Sequence, residues 1–340
     1  MMSEATFGRM LIHPDFQKII SDLNEKKVHN SKISLAHLIQ YDDLLSNSGK
    51  IEFLEEKPKF KLDANKGREF LTKFNLCGYD ESMIRLSTLE GVGFFFSHSL
   101  VLLEDSKYMP LVYLTFHFYT KSRQIADGKN KIEYTSDPPE VASKKQYIKD
   151  RNELITKYVP KSSVLLIDGP LVGGQITQHN ITMSNKLLDN NIIPIFVVKN
   201  SESSLVVDNV AQFKDKFNSD LEWAYKELEI GERSALIQYT DLVGGGDKNK
   251  IFTYIKAFKS SPIRVEMHRK AYLYIGEDLE DLLNMILYLV WAQGDPENPQ
   301  ARPIAISEKF AREAFRLLNV DDIISRTGLT LTMNMTRFGW

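Results

Sequence analysis

Two apolar runs in the middle of the chain, each ending in a charged residue, stand out in the pattern of hydrophobic and polar positions. Residues 164–167 are Val-Leu-Leu-Ile followed by Asp168, and residues 192–198 are apolar or proline and are followed by Lys199. A polar, helix-patterned segment precedes the first run, and another connects the two. The pattern predicts helix, buried strand, turn, helix and buried strand, which is typical of parallel strands covered on both faces.

The stretch before that polar segment, residues 84–119, is rich in β-branched and aromatic residues. Residues 84–91 alternate in part and end with Glu90 followed by glycine, while residues 93–103 and 110–119 are runs of strand-forming residues. Three consecutive strands in a meander are the simplest interpretation. A helix is predicted over 140–158 because its apolar residues return with the 3.6-residue period.

The rest of the chain divides into an extension and a core. Residues 1–80 are predicted to form a mainly helical N-terminal extension, and residues 81–340 a core with a helical insertion around 200–230. Beyond the insertion we expect strands and helices over these ranges: strands 234–239, 263–267 and 271–275, and helices 277–291 and 307–318. The predicted fold class is therefore α/β, with a mixed sheet flanked by helices.

The amino-acid composition excludes some classes of protein but does not identify the function. Of the 340 residues 43% are hydrophobic and 26% charged, and the net charge is −2, so a nucleic-acid site would have to be a local basic surface. The single cysteine, Cys77, excludes an internal disulfide framework. No apolar run reaches the roughly 20 residues that a transmembrane helix needs. We expect a soluble, cytoplasmic protein.

Acidic residues at the ends of predicted strands carry the chemical signal. If the strands that end at Asp168 and Glu90 are neighbours, two carboxylates converge at one sheet edge, where they could hold a hard divalent cation. Asp150 and Glu153, on the helix before Asp168, are candidates for a third acid. The alternatives are an Asp168 that caps the following turn and helical acids that belong to a solvated face.

Basic residues near the same strand ends could contact phosphates. Lys199 follows the second apolar run, and Arg264 lies within a predicted strand. Ordinary salt bridges are the alternative for both. Phosphate loops, dinucleotide-binding glycine motifs and serine or cysteine nucleophile motifs are absent from the sequence.

The order of several short motifs resembles the NurA nucleases. The central pair is LLIDGPL at 165–171 and IPIFVVK at 193–199. Downstream the motifs keep the family's order: GERS at 231–234, TDL at 240–242, IRVE at 263–266 and RPIAISE at 302–308. The resemblance spans roughly residues 84–318.

The resemblance implies a ribonuclease H-like core and Mn²⁺- or Mg²⁺-dependent cleavage of DNA by two metals held between carboxylates. It also implies a homodimer that works beside a hexameric HerA-type ATPase at DNA ends. Asp168 corresponds to a metal ligand of the family, Glu90 stands where the family has the aspartate of Asp-Gly-Ser, and the helical acid corresponds to Glu153 or Asp150. Ser307 takes the place of a C-terminal histidine, with Glu308 beside it. A catalytically decayed scaffold that binds DNA or docks the ATPase is the second hypothesis.

Overall fold

A computed structural model describes residues 49–104, 107–126, 132–172, 176–241 and 249–332 of the protein. The strands are β1 Gly49–Phe53, β2 Lys59–Lys61, β3 Asn75–Ser87, β4 Val92–Glu104, β5 Lys107–Thr120, β6 Ile132–Tyr134, β7 Ser163–Asp168, β8 Ile192–Val198, β9 Glu232–Ser234, β10 Ile237–Asp241, β11 Lys250–Lys256 and β12 Ile263–His268. The helices are α1 Ala64–Phe70, α2 Pro139–Tyr158, α3 Thr177–Leu188, α4 Leu205–Asn209, α5 Asp220–Glu227, α6 Arg269–Ile275, α7 Leu279–Gln293, α8 Arg302–Leu318 and α9 Val320–Arg326.

One mixed sheet contains all the strands found in these ranges. Its main order is β1-β10-β11-β12-β8-β7-β3-β4-β5-β6, with β9 joined to β11 and β2 joined to β9. The central strands β3, β7 and β8 run parallel, whereas β3, β4 and β5 form an antiparallel meander. The predicted α/β class, a mixed sheet flanked by helices, is confirmed.

The central strand β7 is buried on both faces, which explains its uninterrupted apolar sequence. Val164 and Leu166 pack in a core cluster with residues of α6, α7 and the start of α8. Leu165 and Ile167 point to the opposite face and pack against α2 and α3. Because side chains alternate along a strand, Asp168 continues the series of Val164 and Leu166 and faces the α8 side.

The N-terminal part of the described chain differs from the expected helical extension. Residues 1–48 of that extension lie outside the described residues, and the remainder up to residue 80 contains β1, β2, α1 and the first half of β3. The described remainder is thus part of the sheet rather than a mainly helical segment. Residue 80 lies in the middle of β3, so this strand begins nine residues before the predicted start at 84.

The segment 271–275, predicted as a strand, is helical. It belongs to α6, whose N-cap is His268, with Nδ1 accepting a hydrogen bond from the Lys270 N–H. A short apolar run does not distinguish a buried strand from a buried helix by periodicity. As a helix, the segment buries Ala271 and Ile275, four residues apart on one face, in the core. Within the described ranges, no helix combines the length and apolar character needed to cross a lipid bilayer.

Helix α8 approaches the sheet closely over Gly78 of β3. A Cβ atom built on Gly78 would lie 2.5 Å from the backbone carbonyl carbon of Pro303, so only glycine leaves room for the helix. The Ser307 hydroxyl donates a 2.9 Å hydrogen bond to the Gly78 carbonyl and fixes the helix there. The first two turns of α8 are therefore held directly against the centre of the sheet.

Replacing Gly78 by alanine is expected to destabilise the protein by about 1–3 kcal/mol, because the added methyl group must push α8 away from β3. Urea unfolding measures the loss. Ser82→Ala, on the same strand, is the control and is expected to cost less than about 0.5 kcal/mol. Equal stability of the Gly78 variant and the native protein would contradict the close approach.

Candidate active site

Asp168 closes β7, and the chain leaves the sheet immediately after it. Gly169 has φ +97°, a left-handed conformation that favours glycine. The Asp168 side chain is 23% exposed. Its Oδ1 atom is buried and has no hydrogen-bond partner in the described part of the structure. Asp168 thus stands at the carboxyl end of a central parallel strand, with one oxygen directed into a protected space.

Asp80 is the carboxylate that the structure places beside Asp168. Tyr79 of β3 pairs with Ile167 of β7, so the next residues on these parallel strands, Asp80 and Asp168, are neighbours on the same face. Adjacent strands lie about 4.8 Å apart. The Asp80 side chain is buried, and its Oδ1 accepts a 2.7 Å hydrogen bond from the Glu81 N–H.

Because Asp80 and Asp168 face each other in a largely buried space, the state in which both carboxylates are charged is unfavourable. Burial, followed by the charge of Asp168, raises the pKa of Asp80 to about 8. Burial also raises the pKa of Asp168, although the charge and hydrogen bond of Lys199 oppose the increase. The pair therefore binds either protons or a compensating cation at neutral pH.

Lys199, the residue after β8, supplies one compensating charge. Its Nζ lies 3.4 Å from Asp168 Oδ2 and 3.1 Å from Glu308 Oε2. Burial lowers the pKa of Lys199, but the charges of Asp168, Asp80 and Glu308 outweigh this effect and raise it. Lys199 is therefore a charged ammonium group held between carboxylates.

Helix α8 brings Glu308 to this ammonium group. Glu308 Oε2 also accepts a 2.6 Å hydrogen bond from Gln300 Nε2, and Oε1 pairs with Arg312 one turn later. The buried hydroxyl of Ser307 points instead to the Gly78 carbonyl. Ser307 thus anchors the helix, and its neighbour Glu308 is the α8 side chain that reaches the site.

The structure does not bring Glu90 to Asp168. Glu90 lies in the turn between β3 and β4, where its Oε2 accepts a 3.0 Å hydrogen bond from the Thr330 N–H, and this bond lowers the pKa of Glu90. Strand β3 runs past the site from Asp80 to Ser87, a distance of roughly 23 Å at 3.3 Å per residue. The expected convergence of Glu90 and Asp168 is therefore wrong, because β3 passes the site with Asp80 and ends elsewhere.

The two helical acids also lie apart from Asp168. Asp150 is buried on the opposite face of the sheet, where its Oδ2 accepts a hydrogen bond from Thr115 and lies 2.7 Å from His117 Nε2. Glu153 is exposed on the same helix, α2. The packing of α2 against the face opposite α8 keeps both residues away from the Asp80–Asp168 pair.

Arg264 is buried and is not accessible to a phosphate. Its Nε lies 2.7 Å from Glu266 Oε1, and its Nη1 donates a 2.6 Å hydrogen bond to Ser201. Glu266 also pairs with Lys250 at 2.7 Å and accepts a 2.9 Å hydrogen bond from the Leu171 N–H. These buried charges hold the turn that follows Asp168.

Sequence reasoning missed Asp80 and named Glu308 only as the neighbour of Ser307, without a role at the site. A signal for Asp80 was present, because Asp80-Glu81-Ser82 retains the first and third residues of the Asp-Gly-Ser motif. The assignment of residue 80 to the extension concealed it. Glu81, which follows, points to the other face and accepts a 2.6 Å hydrogen bond from Tyr147.

The donors at the site fit a hard divalent cation. Asp80 and Asp168 provide carboxylate oxygens, and the buried Oδ1 of Asp168 needs a partner. In the described ranges no three histidine, cysteine or acidic side chains form a ready metal site. A cation here would therefore be held by two carboxylates, with water or substrate phosphate completing its shell, as Mg²⁺ sites often are.

Comparisons with known proteins agree with this architecture. The NurA domain family matches residues 82–312. The crystal structure of the NurA nuclease from Sulfolobus solfataricus superposes with a TM-score of 0.51 at 11% identity, over 93% of this chain and 98% of that chain. No curated protein matches the chain.

Two further solved structures superpose less well. NurA bound to dAMP and manganese has a TM-score of 0.43 at 9% identity, covering 88% of this chain and 93% of that one. Endonuclease V from Bacillus subtilis has a TM-score of 0.41 at 11% identity, covering 92% and 95%. Because the family match extends over more than half of the sequence and the fold agrees with a member's crystal structure, the protein belongs to the NurA family.

Proposed function

We propose that the protein is a divalent-metal-dependent nuclease that hydrolyses phosphodiester bonds of DNA. The observation that carries the proposal is the pair Asp80 and Asp168 on neighbouring parallel strands, with Lys199 beside it. Membership of the NurA family supports it, as does the likeness to a protein described as the NurA nuclease. We propose Asp80 in the role that the sequence assigned to Glu90.

Each residue has a task that follows from its position. Asp80 and Asp168 would hold Mn²⁺ or Mg²⁺, which supplies Lewis-acid activation of the phosphodiester and of water. The Lys199 ammonium group lies where it can neutralise charge on a phosphate oxygen, and Glu308 holds that group in place. The side chain of Arg312 is 70% exposed beside Glu308 and is available to a neighbouring phosphate.

The direct test is DNA cleavage by the purified full chain with Mn²⁺, Mg²⁺ or EDTA, on single- and double-stranded DNA. We expect cleavage with a divalent cation and none with EDTA. Asp168→Asn is expected to reduce the rate at least about 100-fold, because one charged ligand becomes neutral. Cleavage that persists in EDTA or in the Asp168 variant would contradict the proposal.

Glu90→Gln is expected to leave the cleavage rate within about twofold of the native rate, a change of less than about 0.5 kcal/mol in the barrier. The reason is that Glu90 contacts Thr330 at a distant turn. The same assay measures it, with the protein's melting temperature as the control for folding. A large loss of activity at unchanged stability would show that Glu90 belongs to the site after all.

A catalytically decayed scaffold is the second candidate. It is favoured by the lack of a three-ligand cluster in the described residues and by the lysine between the carboxylates. This candidate requires DNA or ATPase binding without cleavage under any of the metal conditions above. Cleavage that is lost in Asp168→Asn rejects it.

The family also suggests where the protein works. We propose a cytoplasmic homodimer that processes DNA ends in repair or defence with a hexameric HerA-type ATPase. Light scattering after size-exclusion chromatography tests the dimer. Co-elution with a purified HerA-type ATPase, compared with the same ATPase alone, tests the partnership.

A further inference from the structure

We propose that Lys199 supplies one of the two positive charges that a two-metal nuclease site requires, so that this protein binds a single divalent cation. The inference rests on the proposed function and concerns how its site is built. It is carried by the position of the Lys199 ammonium group between Asp168 and Glu308.

The ammonium group occupies the position that a second metal would need. Its Nζ lies 3.4 Å from Asp168 Oδ2 and 3.1 Å from Glu308 Oε2. A divalent cation held by the same two oxygens would lie close to the ammonium group that they bind, and the two cations would repel each other strongly. Lys199 and a metal between Asp168 and Glu308 therefore exclude each other.

Lys199 is held in place rather than free to move away. Its side chain is only 20% exposed. Glu308 on the far side is itself fixed by a 2.6 Å hydrogen bond from Gln300 and by its pair with Arg312. Moving Lys199 aside would leave two carboxylates in a largely buried space without their cation, which is energetically costly.

The charges at the site also match a single divalent cation. Asp80, Asp168 and Glu308 carry three negative charges, which one ammonium group and one divalent cation neutralise. Arg312, which pairs with Glu308 Oε1, is left out of this sum because its side chain is 70% exposed and solvent screens its charge. Glu81 does not add to this sum, because it points to the other face, where Tyr147 donates a 2.6 Å hydrogen bond to it. A second divalent cation would leave the site with two excess positive charges before substrate binds.

One position remains for a divalent cation. Asp168 Oδ1 is buried without a partner in the described residues, on the carboxylate whose other oxygen faces Lys199. Asp80 lies on the neighbouring strand, at the next position after a paired residue. Asp168 thus contacts Lys199 with one oxygen and is available to the cation with the other.

The experiment counts Mn²⁺ ions bound per full-length chain, by titration calorimetry and by electron paramagnetic resonance of the free ion. We expect one Mn²⁺ in the native protein and no spin coupling of the kind expected for ions about 3.5–4 Å apart. Lys199→Met keeps the length of the side chain and removes its charge, and it is expected to raise the count from one to two. Lys226→Met is the matched control and is expected to keep one, because Lys226 is 22% exposed and paired with Glu222 at 2.8 Å.

Glu308→Gln provides a second variant that keeps the lysine. We expect it to bind one Mn²⁺, whereas a native site with a metal between Asp168 and Glu308 would drop from two ions to one. Two coupled Mn²⁺ ions in the native protein, or a count that stays at one in Lys199→Met, would overturn the inference.

The Mn²⁺ counts, combined with the DNA cleavage assay, distinguish failure of this inference from failure of the proposed function. Native protein that binds two Mn²⁺ ions and cleaves DNA rejects the role of Lys199 and leaves the nuclease proposal standing. Native protein that binds one ion, gains a second in Lys199→Met and cleaves no DNA supports the role of Lys199 and rejects the nuclease.

Discussion

Replacing Asp80 by asparagine is expected to abolish metal-dependent DNA cleavage and, at pH 8, to raise the melting temperature of the metal-free protein. The loss of cleavage follows because Asp80 is the buried member of the carboxylate pair and asparagine carries no charge to hold a cation. We expect a decrease of about 1,000-fold, equivalent to roughly 4 kcal/mol in the barrier.

The gain in stability follows from the pKa of Asp80. Burial and the charge of Asp168 raise this pKa from 3.8 to about 8 in the folded protein. Between these values the folded state holds a proton that the unfolded state has released, so native stability falls as the pH rises from about 4 to about 8. Asparagine does not titrate, so the stability of the variant does not fall in this way. The difference in stability between the variant and the native protein should therefore grow as the pH rises from about 4 to about 8.

Thermal melts in EDTA at pH 5 and at pH 8 measure this effect. We expect the variant's advantage in melting temperature to be larger at pH 8, on the order of 5 °C. Mn²⁺ should raise the melting temperature of the native protein and leave that of Asp80→Asn unchanged, because a ligand stabilises only a state that binds it. A variant that is less stable at pH 8, or that cleaves DNA at the native rate, would remove Asp80 from the site.

Replacing Glu266 by glutamine is expected to lower the free energy of unfolding by about 3–5 kcal/mol, the typical cost of breaking a buried ion pair. Glu266 is fully buried and pairs with both Lys250 and Arg264 at 2.7 Å. Burial raises the pKa of Glu266, but these two cations outweigh it and lower the pKa. Removing the negative charge leaves two buried cations without their shared partner.

Urea unfolding of Glu266→Gln measures this loss. Glu280→Gln is the matched control: Glu280 pairs with Arg233 at 2.6 Å but is 46% exposed, and its loss should cost less than about 1 kcal/mol. Equal effects of the two changes would show that burial does not set the energy of these pairs. Because Glu266 also accepts the Leu171 N–H, its replacement should loosen the turn after Asp168 and lower cleavage as well.

Strands buried on both faces were the elements that could be predicted best. The prediction of β7 and β8 succeeded because their apolar runs end in a charged residue at the sheet edge, and the predicted helix 140–158 matches α2. The first half of strand β3, residues 75–83, was missed because Gly78, Asp80 and Glu81 interrupt its apolar pattern. Its pairing with β4 stabilises it there, and that pairing is not visible in local hydrophobicity.

The residues of the candidate site were also predictable only in part. Asp168 and Lys199, which the sequence singled out because each directly follows an apolar run, lie next to each other. Asp80 was missed because it lies inside a long strand. Glu308 was named but given no role, because it lies in the second turn of a helix, where acids are common. Arg264 was proposed for phosphate binding from its strand alone, and only its burial beside Glu266 shows a structural role.

The sequence by itself determined the α/β class, the order of the central strands and helices, and an acid at the end of β7. These features depend on local patterns of polarity, which act through neighbouring residues. The tertiary structure decided which charges meet: Asp80 with Asp168, Lys199 with Glu308, and Glu90 with none of them. The register of parallel strands far apart in the chain, and the close approach of α8 over Gly78, arise from packing between distant segments.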